Sequence, residues 1–216
     1  MLVDLLLPVR CAACGAPAPR GWCERCAAEA LRLVLPDRGH LTLGDGIDAV
    51  GLLAYDGVAR RTLHGLKAGG RHAAAGPLGL LLRRALLAGL DPGSRVLTWV
   101  PATSRRRRAR GMDVPRLLAG PAAVRLLVRT AERPDQTLLT AVARRSSPRG
   151  SFAAVGPLRR PVTLVDDVRT SGGTALAAAT ALRAAGAPSV LVVTLAVGGE
   201  DARRSVPRGH EAADPT

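Results

Sequence analysis

Short apolar runs separated by longer amphipathic stretches organise most of the chain. Four runs rich in Val, Leu and Ala have the length of buried strands, and they lie at 49–55, 96–100, 162–165 and 189–196. The stretches between them have the length and apolar spacing of helices at 58–67, 77–90 and 174–185. Strands that alternate with helices predict an α/β fold, with a mostly parallel sheet and helices on both faces.

The remaining segments of this region are more polar. The basic stretch 104–111 predicts a loop, and Asp113 is placed to cap the helix that follows it. A short strand is predicted at 124–129, a long irregular loop at 134–150 and a turn at 166–173.

Glycine and proline mark the division into domains. Pro36 ends a predicted helix at 27–35, and Gly39, Gly44 and Gly46 interrupt any periodicity after it. We therefore expect an N-terminal unit of a helix and a four-cysteine knuckle, a linker, an α/β domain and a polar flexible tail. Their predicted ranges are 1–36, 37–48, 49–198 and 199–216.

Charge favours anionic partners. The 216 residues include 31 Lys and Arg against 17 Asp and Glu, which gives a formal net charge of +14. Such a balance suits nucleotides, pyrophosphate or nucleic acid. The alternative is a compositional preference for arginine without function, since Lys67 is the only lysine.

No targeting or membrane segment is evident. The first eight residues are apolar but contain Asp4 and have no basic start, and the run 78–90 is interrupted by Arg83 and Arg84. We expect a cytoplasmic protein without membrane insertion.

The four cysteines form one motif near the N-terminus. Cys11, Cys14, Cys23 and Cys26 follow the spacing C-x2-C-x8-C-x2-C. Each pair can turn both sulfurs toward one ion, and two pairs complete a tetrahedral thiolate set for Zn²⁺. Four filled positions leave none for catalysis, so the zinc would be structural. Disulfides, a redox dithiol and an iron–sulfur cluster are the alternatives.

The segment 162–174, V-T-L-V-D-D-V-R-T-S-G-G-T, has the features of a phosphate-binding turn. Its glycines allow close approach of the backbone, and free amides at the start of the next helix attract an anion. Asp166 and Asp167 can accept hydrogen bonds from ribose hydroxyls, directly or through a divalent cation. The loop that would hold the phosphate consists of Thr170, Ser171, Gly172, Gly173 and Thr174. A glycine-rich turn with incidental carboxylates is the structural alternative.

This segment resembles the phosphoribosyl-pyrophosphate (PRPP) motif of type I phosphoribosyltransferases. Together with the cysteine knuckle, it resembles the ComF family of competence-associated proteins. Lys67 after Leu66, Arg110 before Gly111, Gln136 and the sequence Arg-Gly-Ser-Phe at 149–152 also fit that family. Asp113 and the Ser-Pro pair at 147–148 depart from it, because the family often has Asn at these places.

The resemblance implies a phosphoribosyltransferase-like sheet and a site for PRPP with Mg²⁺. It implies catalytic roles for Asp166 and Asp167, and a closing loop that contains Gln136. The side chains implied on the pyrophosphate side are Arg106, Arg108, Arg110 and Lys67.

Two classes of function remain open at this stage. One is a glycosyltransferase that moves phosphoribose to or from a nucleobase-like acceptor, although no residue is identifiable as the base that would activate that acceptor. The other is a non-catalytic PRPP- or nucleotide-binding factor in DNA uptake, with single-stranded DNA or competence proteins as partners. For the arginine run, a pyrophosphate role is favoured, and a nucleic-acid patch or a solvated surface are the alternatives.

Overall fold

The computed structural model describes residues 10–18, 21–68, 70–87, 94–130 and 151–199. Within them the strands are β1 (Leu41–Leu43), β2 (Ile47–Ala54), β3 (Val96–Trp99), β4 (Leu127–Arg129), β5 (Phe152–Ala154), β6 (Val162–Arg169) and β7 (Val190–Val197). The α-helices are α1 (Glu24–Leu31), α2 (Gly57–Lys67), α3 (Ala75–Leu86), α4 (Ser104–Arg110), α5 (Val114–Ala119) and α6 (Gly173–Ala184). Single helical turns lie at Pro36–Gly39, Gly44–Gly46 and His72–Ala74.

Five of these strands form one sheet in the order β1-β2-β7-β6-β3. All neighbours in it are parallel except β1, which runs antiparallel to β2 at the edge. In β6, Val165 lies opposite Val193 of β7 and Trp99 of β3. A separate antiparallel pair joins β4 to β5. The predicted α/β fold with a mostly parallel sheet is confirmed.

Helices cover the sheet on both faces. Successive side chains of a strand point to opposite faces, and β6 shows the consequence directly. Val165 belongs to a core cluster with side chains of α2, α3 and α5, whereas Leu164 belongs to a second cluster with side chains of α6. Phe152 of β5 also packs in this second cluster.

The cysteine knuckle is docked on α2. Trp22 is buried and its Nε1 donates a hydrogen bond to Thr62 Oγ1 at 2.7 Å. Arg71 Nη1 donates to the carbonyl oxygens of Ala12 and Ala13 at 3.2 and 3.0 Å. A Cβ at Gly65 would lie 1.8 Å from the Ala12 oxygen, so a glycine is needed there. The described part of the knuckle therefore shares one hydrophobic core with the sheet.

The basic stretch 104–111 is not a loop, contrary to the prediction. Residues 104–110 form α4. The loop was predicted from the high charge of this stretch. Arginine and alanine are both strong helix formers, however, and the seven residues S-R-R-R-R-A-R contain no glycine or proline.

Three further features differ from the prediction. β6 continues through Arg169 instead of ending at Val165, because its ladder with β7 extends to the pairs Val168–Ala196 and Arg169–Val197. Asp166 and Asp167 therefore belong to the strand rather than to a turn. The predicted linker at 37–48 contributes β1 and the start of β2 to the sheet. The N-terminal helix, predicted at 27–35, spans Glu24–Leu31.

No helix among the described residues has both the length and the apolar character that a membrane crossing requires. The predicted loop 134–150, with Gln136, and residues 200–216 of the predicted tail lie outside the described residues.

Candidate functional site

The turn after β6 is shaped by a left-handed glycine. Gly172 has φ +71° and occupies the N-cap position of α6. Its carbonyl accepts a hydrogen bond from Leu176 N at 2.8 Å, which starts the helix. Thr170, Ser171 and Thr174 are exposed beside it. The loop 170–174 therefore presents hydroxyls and the free amides of a 12-residue helix at one point, and both attract an anion.

Two carboxylates lie in the second half of β6, separated from this loop by two residues. Asp166 and Asp167 are 8% and 9% exposed. Asp166 Oδ1 accepts a hydrogen bond from the backbone N–H of Asp167 at 2.8 Å. Burial, and then the negative charge of Asp167, raise the pKa of Asp166 to about 8, against the opposing effects of that hydrogen bond and of Lys67 and Arg129. At neutral pH Asp166 therefore binds a proton much more readily than an exposed carboxylate does.

Lys67 pairs with the second carboxylate. Its Nζ lies 2.8 Å from Asp167 Oδ2, and the two side chains are only 23% and 12% exposed. Lys67 is the last residue of α2, so the helix brings the only lysine of the chain to the acidic pair. The sequence placed Lys67 on the pyrophosphate side, and the structure places it in direct contact with Asp167.

Arg129 is a site residue that the sequence analysis missed. Its Nε donates to the Pro101 carbonyl at 2.8 Å, and its guanidinium lies 4.5 Å above the Phe152 ring. Pro101 follows β3, the neighbour of β6, and the positive charge of Arg129 lowers the pKa of Asp166. An arginine at the end of a predicted strand was the available signal, but its partners come from distant parts of the sequence.

The arginine run lies on α4, which comes after β3 in the sequence and so begins near the carboxyl end of that strand. Arg108 is exposed, as are Arg105 and Arg107. The backbones of Arg106 and Arg110 belong to α4, whereas their side chains lie outside the described part of the structure.

Asp113 lies between α4 and α5 in the sequence and within electrostatic range of Asp167. It stands at the N-cap position of α5, but its side chain makes no capping bond to that helix. Instead, Asp113 Oδ2 accepts a hydrogen bond from Ala102 N at 3.1 Å. Burial raises the pKa of Asp113, and the charge of Asp167 adds to that increase. The carboxyl ends of β3 and β6 therefore open on one region, as expected for neighbouring parallel strands.

The four cysteines converge on one point. Their sulfurs all lie within 4.8 Å of one another, and Cys14 Sγ is 3.6 Å from Cys23 Sγ. Tetrahedral Zn²⁺ with bonds of about 2.3 Å needs sulfurs roughly 3.8 Å apart. Burial raises the pKa of Cys11, but backbone N–H donors at Cys14, Cys23 and Ala13 outweigh it and lower that pKa to about 6. Burial and hydrogen bonds with the other cysteines raise the pKa of Cys26. The proximity of the four sulfurs fits a thiolate-bound metal, and the predicted clustering is confirmed.

Comparison with known proteins assigns no family. No family model matches the chain, and none of the curated proteins matches it. One similar solved structure is the allosteric regulatory enzyme of purine biosynthesis, at 19% identity and a TM-score of 0.37, covering 66% of this chain and 38% of that one. This chain therefore spans well under half the length of that enzyme.

Orotate phosphoribosyltransferase of Mycobacterium tuberculosis H37Rv is similar in two complexes. The complex with inorganic phosphate has 19% identity and a TM-score of 0.35, covering 83% of this chain and 96% of that one. The complex with Fe(III) dicitrate has 20% identity and a TM-score of 0.33, covering 82% and 97%. Similarity at this level is distant and assigns no activity, and the resemblance to the ComF family rests on sequence motifs.

Proposed function

We propose that this chain binds PRPP at the carboxyl edge of its parallel sheet and acts as a phosphoribosyltransferase. The observation that carries the proposal is the succession of two buried carboxylates, a left-handed glycine turn and a helix N-terminus along 166–174. The carboxylates suit the ribose hydroxyls, and the glycine turn with the helix N-terminus suits the 5-phosphate.

In this proposal the 5-phosphate lies in the loop 170–174. The amides of the first turn of α6 donate to it, the helix dipole favours its charge, and the hydroxyls of Thr170, Ser171 and Thr174 add donors. Asp166 and Asp167 accept hydrogen bonds from the ribose hydroxyls. Two adjacent carboxylates are also an oxygen donor set that fits Mg²⁺. Because the pKa of Asp166 is raised, Mg²⁺ would have to displace its proton on binding. The metal would neutralise pyrophosphate charge.

The pyrophosphate would face the cations around the acidic pair. Lys67 is already within contact distance of Asp167, and the exposed Arg108 lies on α4 after the neighbouring strand. Arg106 and Arg110 are proposed for the same side from the sequence, and Gln136 for a closing loop. Departure of pyrophosphate leaves an oxocarbenium-like ribose. The negative charge of Asp167 would stabilise it electrostatically, as would that of Asp166 once its proton has been displaced.

A binding factor without catalysis is the second candidate. The described residues assign no general base to an acceptor, and α4 exposes Arg105, Arg107 and Arg108, a surface that nucleic acid would also attract.

Pyrophosphate release distinguishes transfer from binding alone. The protein is incubated with PRPP, Mg²⁺ and a panel of nucleobases, and products are measured by mass spectrometry. A transferase releases pyrophosphate and forms a nucleotide with particular bases, whereas the Asp166→Asn/Asp167→Asn variant does not. Binding of PRPP without any release favours the second candidate, and absence of binding contradicts both.

We further propose that Cys11, Cys14, Cys23 and Cys26 hold one structural Zn²⁺. The sulfur cluster supports this, and so does its position against α2, where a metal would stabilise the knuckle as a docked unit.

A further inference from the structure

Arg169 is a buried arginine at the start of the proposed phosphate loop. It is the last residue of β6 and is 2% exposed, although it directly precedes Thr170. Its Nη2 donates a hydrogen bond to the Gly39 carbonyl at 3.0 Å. Burying a guanidinium costs free energy unless its N–H groups are used for hydrogen bonds. An apolar side chain would fill this place more favourably, so the arginine indicates a specific anchoring role.

The segment that Arg169 contacts has unusual backbone geometry. Asp37, Arg38 and Asp45 have φ values of +47°, +56° and +63°. Non-glycine residues adopt such angles only at an energetic cost, and they keep them only where surrounding contacts impose them. The segment 36–46 is therefore held in its conformation by its contacts, and the Arg169–Gly39 bond is one of these.

The same segment lies against the loop that would bind phosphate. A Cβ at Gly172 would be 2.8 Å from Cδ2 of Leu43, and a Cβ at Gly44 would be 3.2 Å from Cδ2 of Leu176. Leu43 thus touches the left-handed glycine on which the turn depends, and Gly44 touches the first turn of α6. Segment 36–46 forms a wall of the loop, although it lies more than 120 residues earlier in the chain.

We propose that Arg169 is a positioning residue for the phosphate loop and acts through this wall. Its bond to Gly39 fixes segment 36–46, and Leu43 in turn holds Gly172 in the geometry that aims the amides of α6 at a phosphate monoester. The proposal rests on the proposed function, because it assigns a ligand phosphate to loop 170–174. It adds two residues, Arg169 and Leu43, that touch no ligand themselves but determine its affinity.

A double-mutant cycle tests whether Arg169 and Leu43 act on the phosphate loop through the same segment, 36–46. The variants are Arg169→Met, Leu43→Ala and their combination, and the probe is ribose 5-phosphate in calorimetry, under conditions where every variant is folded. Each single variant should weaken binding about 10-fold. Because both changes release the same wall, the combination should be weakened little beyond either single variant, by less than about 3-fold. Arg169→Lys, which keeps a donor, should restore most of the affinity.

Leu41→Ala is the matched control. Leu41 is the other half-buried leucine of β1, two residues from Leu43 and on the same side of the strand. It should lower stability much as Leu43→Ala does and leave ribose 5-phosphate affinity unchanged. If Arg169→Met does not fold, the comparison of Leu43→Ala with Leu41→Ala decides the question.

Several results would overturn the assignment. Equal affinities for Leu43→Ala and Leu41→Ala, or independent losses that multiply to about 100-fold in the combination, would show that the wall does not position the loop. Wild-type protein that binds ribose 5-phosphate while the variants bind it equally well removes this inference alone. Wild-type protein that does not bind ribose 5-phosphate at all removes the proposed function, and this inference with it.

Discussion

Replacing Asp166 by asparagine should make the protein more stable at neutral and alkaline pH. The side chain is buried beside Asp167, and its pKa is raised to about 8 from a usual value of 3.8. Asparagine has the same shape, and its Oδ1 can still accept the hydrogen bond from Asp167 N. The substitution therefore removes a charge that the fold disfavours while it keeps the local geometry.

The direction in which stability changes with pH depends on whether the folded or the unfolded chain binds the Asp166 proton more tightly. Because burial raises the pKa of Asp166 from 3.8 to about 8, the folded chain binds this proton more tightly than the unfolded chain does in the pH window between these values. Stability of the wild type therefore falls as pH rises through this window, by at most about 1.4 kcal/mol per pH unit. The asparagine variant lacks this loss, so its advantage should grow from near zero at pH 4 and level off above pH 8.

Urea unfolding from pH 4 to pH 9 measures this difference. The chain has two tryptophans, Trp22 and Trp99, both buried, so their fluorescence reports unfolding. Zinc is kept constant and Mg²⁺ is omitted. Asp48→Asn is the control, since Asp48 is exposed and pairs only with the exposed His40 among the described ion pairs. Its effect should stay below about 1 kcal/mol throughout.

The refuting result is a constant difference between wild type and Asp166→Asn at all pH values. A variant that is less stable than the wild type at pH 8 would refute the reasoning as well, because it would mean that the ionised carboxylate stabilises the fold.

Three further predictions concern the knuckle and the loop. Purified protein should contain about one zinc per chain and Cys26→Ser almost none by elemental analysis, and a folded, reduced wild type without metal would contradict the site. Gly65→Ala should destabilise the protein by about 1–3 kcal/mol in urea unfolding, because its Cβ would meet the Ala12 oxygen. Gly76→Ala, in α3 with open space around it, should stabilise by about 0.5–1 kcal/mol, and equal effects would argue against the docked knuckle. Gly172→Ala should weaken ribose 5-phosphate binding about 10-fold, because of its φ of +71° and its contact with Leu43, whereas Gly156→Ala should not.

The sheet could be predicted from the sequence because its signals are local. The four parallel strands are apolar runs with the length of buried strands, and all residues of the glycine turn before α6 are consecutive in the sequence. The acidic pair could be identified for the same reason. Its strand was predicted too short, because the ladder that carries β6 through Arg169 depends on pairing with β7 and not on the polarity of Asp166 and Asp167.

The remaining features depend on contacts between distant residues. β1 is short and lies among glycines, so only its pairing with β2 identifies it as a strand. A run of like charges indicates a loop, whereas arginine itself favours helices, so charge alone does not predict α4. Arg129 and Arg169 reach Pro101 and Gly39, which are 28 and 130 residues away. No periodicity or spacing in a single sequence encodes such contacts.

Calorimetric titration with PRPP in the presence of Mg²⁺ tests the central claim most directly. The wild type is compared with the Asp166→Asn/Asp167→Asn variant, after circular dichroism has shown that both are folded. Hydrogen bonds to charged groups contribute about 1.5–3 kcal/mol each, so loss of both carboxylates should weaken PRPP binding at least about 100-fold. Equal affinity of the two proteins, or a wild type that does not bind PRPP, would contradict the claim that the carboxyl end of β6 is a PRPP site.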